Sequence, residues 1–171
     1  MALILKKQYL LFCVLILFSA KAFGCSCKKH GIKKAYNYSD LIFKGRVVGI
    51  KTLMKSDTLY WKSETENYIE KYKRVEFKFE ITELIKGQLE SNNVIIVTTG
   101  DSANCGIFFE MNSEHLVYSF KSDRPVYDIW GNSKNLVKEY QTTSYCTRTK
   151  NLELLKNREL RKLKALSRRK N

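Results

Sequence analysis

The sequence predicts a mainly β protein: a small closed five-stranded Greek-key barrel of the OB type with flanking helices. Three observations carry this expectation. At least five short apolar stretches, separated by turn residues, read as strands. A polar stretch near the beginning and a leucine-periodic stretch at the end read as helices. Cys25 and Cys27 have their distal counterparts at Cys105 and Cys146, so crosslinks would tie the start of the domain to its middle and end.

The first segment reads as a secretory leader. Lys6 and Lys7 precede the apolar run at 9–18, which is too short for a bilayer span of roughly 20 residues. Ala22 and Gly24 then stand at the minus-three and minus-one positions of a cleavage site before Cys25. The expected organisation is a signal peptide at 1–24, one domain at 25–155, and a basic amphipathic helix or tail at 156–171. The implied location is extracellular. Lipidation of Cys25 is the rival, although the usual Leu before such a cysteine is missing. Loss of Lys6, Lys7 and Lys21 with the leader lowers the formal charge from +14 to +11. So basic a chain suits acidic proteins, anionic glycans or lipid headgroups, and export argues against nucleic acid.

Cys13 leaves with the leader, and four cysteines remain. Bonding Cys25 to Cys27 would close a strained ring. The two other pairings both anchor the N-terminus. Each long loop so closed is worth on the order of 4–5 kcal/mol in the chain-entropy account. C-x-C is not the usual zinc spacing, and only His30 and His115 could supply imidazole.

The elements follow in order. Residues 28–38 read as a loop or short helix, with a glycosylation sequon at Asn37-Tyr38-Ser39 that matters only in a eukaryotic host. Residues 40–51 read as a strand whose Gly45 and Gly49 mark bulges or tight bends. Residues 52–72 read as a protruding hairpin, either a second contact surface or a plain excursion. Val75, Phe77, Phe79 and Ile81 alternate with polar residues and mark a half-buried strand. Residues 94–98 (VIIVT) read as a strand buried on both faces, and 99–106 as turns around Cys105. Ile107 to Phe109 and His115 to Phe120 flank a turn at Asn112-Ser113, with His115 read as a strand-edge side chain. Leu152, Leu155, Leu160, Leu163 and Leu166 fall on one side of a helix, with Arg158, Arg161, Lys164 and Arg168 elsewhere around it. The favoured meaning is a packed helix with a solvated basic tail; the other is a binder of anionic surfaces.

No phosphate-binding glycine loop, H-E-x-x-H or G-x-S-x-G occurs. A Cys105/His115 dyad would lose its thiol to a disulfide. The sequence therefore reads as a non-enzyme.

Cys25-Ser26-Cys27 directly after a leader resembles the mature start of the tissue inhibitors of metalloproteinases, in the netrin-like group. Tyr38-Ser39-Asp40-Leu41-Ile42 followed by Val47-Val48-Gly49 resembles their first helix-to-strand passage. Asn104-Cys105-Gly106 resembles their central cysteine loop, and 142–152, centred on Cys146, their later one. The resemblance covers residues 25–155. It implies disulfides Cys25–Cys105 and Cys27–Cys146. It also implies an inhibitory ridge of Cys25, Ser26, Cys27, Lys28 and Asn104. In that family the first cysteine's amine and carbonyl chelate the target protease's zinc, and the next side chain, here Ser26, enters its specificity pocket. The implied partner is a zinc metalloprotease, met as a monomer; the charge of the basic tail, apart from the resemblance, suits anionic glycans as a second partner. No cofactor of its own is implied; the zinc belongs to the target. Three departures stand out: Asn37 replaces a cysteine, Lys29 replaces a proline of the ridge, and no cysteine follows Cys146.

Overall fold

The computed structural model describes residues 27, 30–60, 67–100, 105–126 and 137–168; of 56–71 only strand backbone is described. The protein is mainly β. Helix α1 (Ile32–Tyr38) precedes two long strands, β1 (Leu41–Tyr60) and β2 (Asn67–Lys86). Then come β3 (Asn93–Thr98), β4 (Glu114–Ser122), β5 (Tyr140–Thr142) and β6 (Lys150–Asn151). A 3-10 turn (Leu152–Leu154) leads to helix α2 (Asn157–Arg168).

Five strands close a ring. β1 pairs antiparallel with β2, and β2 with β3. β3 pairs parallel with β5, β5 antiparallel with β4, and β4 antiparallel with β1. β6 takes the other edge of β4 at His115 and Leu116. Closure leaves β1 to β5 few unpaired edge groups where they meet.

The hairpin expected at 52–72 is present, but its strands are not short. β1 and β2 are each 20 residues long and stay paired from Ile42↔Lys86 to Tyr60↔Asn67. β3 accompanies β2 only as far as Val75↔Thr98, so among the described residues the far half is a two-stranded ribbon. The stretch is polar in sequence, yet backbone pairing continues through it.

The glycines mark irregular register as expected. The β1–β2 pairing shifts between Lys44 and Gly45 and again between Val47 and Gly49. A Cβ on Gly45 would lie 2.8 Å from the Glu80 carbonyl oxygen and 3.0 Å from the Phe43 ring. No side chain fits such an approach, and the chain bends there.

Alternation sorts the two faces of the ring. Leu41, Phe43, Val47, Val75, Phe77, Phe79, Val94, Ile96 and Val117 point inward and are buried with Ile107 and Phe109. Phe109 stands edge-on to Phe77 and Phe79, with centroids 5.0 and 5.1 Å apart. The opposite set, Ile42, Ile85, Leu116 and Tyr118, is covered outside by Ala35 and Tyr36 of α1 and Leu163 of α2.

Several expectations are corrected. Ile95 is 51% exposed, so β3 is not buried on both faces; no second layer covers it among the described residues. Ile107 and Phe109 lie in the core but outside any strand. The turn expected beyond them is present and pairs with β1, through Asn112 N–H to the Val47 carbonyl (2.9 Å) and Val47 N–H to the Ser113 carbonyl (3.0 Å). Asn112 takes a left-handed φ of 63°, which asparagine tolerates. Leu152 and Leu155 pack on the outer cluster but precede α2. The Asn151 side chain accepts from Glu153 N–H and fixes a 3-10 turn where the leucine period predicts helix.

The helices are tied by charge as well as packing. The Lys86 ammonium donates to the carbonyls of Tyr36 and Ser39 at the end of α1. A cation there satisfies carbonyls that the helix leaves open. Glu83 of β2 bridges Lys44 (2.6 Å) and Lys164 of α2 (3.0 Å). The Lys44 hydrogen bond, then that of Lys164, holds its carboxyl below the ordinary range. Among the described residues no helix is long and apolar enough to cross a membrane.

Candidate functional site

The cysteines bring three distant segments to one place. Cys27 is bonded to Cys146, with Cα atoms 5.0 Å apart and 119 residues between them in sequence. This is the pairing that the resemblance implies for these two residues. Cys105 is also disulfide-bonded. The sulfurs of Cys27, Cys105 and Cys146 all lie within 4.8 Å of one another. Such a cluster has the spacing of a metal site, but sulfurs in S–S bonds are not the thiolates that bind metal. The same oxidation removes any thiol for a Cys105/His115 dyad.

Of the expected ridge, only Cys27 is described. Cys25, Ser26, Lys28 and Asn104 lie outside the described residues, as does Lys29. Cys25, expected as zinc ligand and as partner of Cys105, therefore lies outside them too. What is described is the ground on which these residues stand. Cys105 has a left-handed φ of 57°, and its carbonyl accepts from Tyr145 N–H at 2.9 Å. The loop that follows Asn104 is thus joined to the turn that carries Cys146.

That turn is held by threonines. The Thr143 hydroxyl lies 2.8 Å from the Tyr118 carbonyl oxygen, 3.0 Å from Thr147 Oγ1 and 2.8 Å from Thr149 Oγ1. Thr147 also donates its hydroxyl to the Ser144 carbonyl at 2.8 Å, and Tyr118 N–H donates to Thr149 Oγ1 at 2.9 Å. Cys146 N–H donates to Ser144 Oγ at 3.2 Å. Short hydroxyl side chains suit this work, since they bond local backbone where no ladder reaches.

Beside the turn lies a buried charge cluster that sequence reasoning missed. Glu159, 4% exposed, accepts from Arg148 Nε (2.7 Å) and Nη2 (2.9 Å), Lys150 Nζ (2.7 Å) and the Tyr118 hydroxyl (2.9 Å). Burial alone would push this carboxyl up. The hydrogen bonds from Arg148, Lys150 and Tyr118 outweigh it and hold the carboxyl at about 2. Burial and the adjoining carboxylate push the Tyr118 hydroxyl well above its usual range. Arg148 reaches further and donates to the His30 carbonyl at 3.1 Å. Cys27 is thus held by the disulfide and His30 by the guanidinium. The run Thr142-Thr143-Ser144-Tyr145-Cys146-Thr147 was a legible sign of a hydrogen-bonded turn. Glu159, set among Arg158, Arg161 and Lys162, gave none.

His115 is not a strand-edge side chain. It lies on the inward face of β4 with Val117 and is 9% exposed. Its ring stands edge-on to Phe109 at 4.8 Å, and Nε2 lies 2.8 Å from Ser113 Oγ. Burial pulls its pKa below the ordinary value. Asn37, of the sequon, is exposed on α1.

Replacing Cys146 with Ser should lower stability by about 4–5 kcal/mol, because a loop of this length would no longer be closed. Denaturant unfolding of the two proteins measures the difference, and an unchanged midpoint would refute it.

No protein-family model matches the chain, and comparison with curated proteins finds no match.

Proposed function

We propose that this is a secreted inhibitor of zinc metalloendopeptidases, built on a small OB-type barrel of the netrin-like kind, that binds the target's zinc through the Cys25 amine and carbonyl. The observation that supports the reading best is the meeting of Cys27, Cys105 and Cys146 at one place. A chain end docks well only if little freedom is lost on docking. Here Cys27 is fixed by a disulfide, and His30, three residues on, is fixed by Arg148. Cys25 and Ser26 immediately precede this double anchor in sequence, and the Cys105 loop adjoins it. A catalytic zinc keeps one coordination position for water, and a neutral amine can take that position.

Ser26 is small and leaves a deep pocket unfilled, so several enzymes should be inhibited. Ser26→Gly should re-rank the targets by roughly tenfold or less and abolish none, since one small group is worth about 1 kcal/mol. Inhibition constants against a panel of zinc endopeptidases measure this. Absence of inhibition by the native protein across the panel would overturn the proposal and favour a netrin-like binding module that uses the same disulfides for stability alone.

A further inference from the structure

The outer helices form a surface that the protease reading does not use. α1 and α2 are held together by Ile32, Ala35, Tyr36, Leu163 and Leu166 of the outer cluster. Between them runs an open groove of about 910 Å³. Its lining combines Ile32, Tyr38 and Leu166 with Lys33, Lys34 and Lys162, and among the described residues no acidic one lines it. Tyr38 is 68% exposed, and the three lysines are exposed. Among the described residues no carboxylate pairs with Lys33, Lys34 or Lys162, whereas Lys164, on the same helix, is engaged by Glu83. On a chain with formal charge +14, this face combines, among the described residues, cations without a carboxylate partner and partly exposed apolar surface.

We propose that the α1–α2 face docks on an anionic phospholipid bilayer. The lysines would lie at the level of the headgroup phosphates, with Tyr38, Ile32 and Leu166 directed toward the acyl boundary. Two signals favour this occupant together. The charge calls for an anionic partner, and the apolar floor calls for one that can also cover hydrocarbon. An extended sulfated polymer answers the first and leaves Tyr38 in water. Tyrosine, with an apolar ring and a polar tip, suits a bilayer interface.

The test is co-sedimentation of the unglycosylated protein with vesicles of phosphatidylcholine alone or mixed with phosphatidylglycerol. Binding is expected to the mixed vesicles only. Each basic residue near an anionic surface contributes about fivefold, so the triple variant Lys33→Glu, Lys34→Glu, Lys162→Glu should bind on the order of 100-fold more weakly. Lys78→Glu, on the exposed side of β2, should bind like the native protein. Tyr38→Ser should weaken binding several-fold with no change of charge, and it keeps the proposal testable should the triple variant fail to fold. Equal binding to neutral vesicles, or no binding to either, would overturn the proposal. So would undiminished binding by the folded triple variant. Retention on an anionic polymer column that Tyr38→Ser leaves unchanged, without vesicle binding, would assign the face to polyanions instead.

Discussion

One alanine added before Cys25 should abolish inhibition of zinc endopeptidases while leaving the melting temperature nearly unchanged. In the proposed mechanism the metal ligand is a terminal amine. Its expected pKa, about 7.7–8.0, leaves part of it neutral at physiological pH with a lone pair free for zinc. An extra residue turns that amine into a peptide nitrogen, a poor donor, and adds bulk where the zinc-bound water sat. The anchors behind it are untouched, since the Cys27–Cys146 bond, the Arg148–His30 contact and the Glu159 cluster all lie downstream. Acetylation of the amine should act in the same way. The measurements are inhibition constants for native, extended and acetylated proteins, with circular dichroism following their melting. Full inhibition by the extended form would rule out chelation by the amine.

Replacing Glu159 with Ala should be the most destabilising single substitution in the helical layer, at about 4 kcal/mol. The loss would leave Arg148 and Lys150 without their shared carboxylate and the buried Tyr118 hydroxyl without its partner. Substitution by Gln keeps the shape and removes the charge, and should cost less. The same carboxyl sets an acid limit. It is held at about 2 in the folded protein against an ordinary 4.5, a difference worth about 3 kcal/mol. Because the folded value is the lower one, this stabilisation is complete above pH 4.5 and fades as the pH falls toward 2. Urea unfolding across that range should therefore show a fall in stability that Glu159→Gln largely removes. An equal fall in both proteins would mean that other carboxyls set the limit. Loss of Glu159 should also loosen the segment before α1, through Arg148 and His30, and so weaken inhibition.

How much of this was legible beforehand differs by element. Val75, Phe77 and Phe79 announced an inward row because a strand alternates by two, and the three are buried as that rule requires. Gly45 and Gly49 announced broken register, and the pairing shifts at both; at Gly45 a close approach also excludes a side chain. Leu163 announced a packed helix and is fully buried. Cys27 and Cys146 are joined as the resemblance implies. The strand row, the broken register and the packed helix depend on local period or on residue chemistry that has few other uses, and the sequence by itself determined them; the cysteine pairing came from the resemblance, since the residues alone left two pairings open.

Tertiary structure alone decided the rest. β5 is three residues long and β6 two, too few for any period, and β5 exists because β3 and β4 offer edges on either side of it. His115 became a buried ring because its place on β4 faces Phe109, which arrives from a segment outside any strand. Ile95 stays exposed because nothing described lies over that side of β3. Glu159 looks like one charge among many on a basic helix. It becomes the centre of a buried cluster only when α2 lies against β4 and brings Tyr118, Arg148 and Lys150 within hydrogen-bonding reach. A local sequence records which faces can be buried, but not which distant groups will meet there, because that depends on how the ring closes.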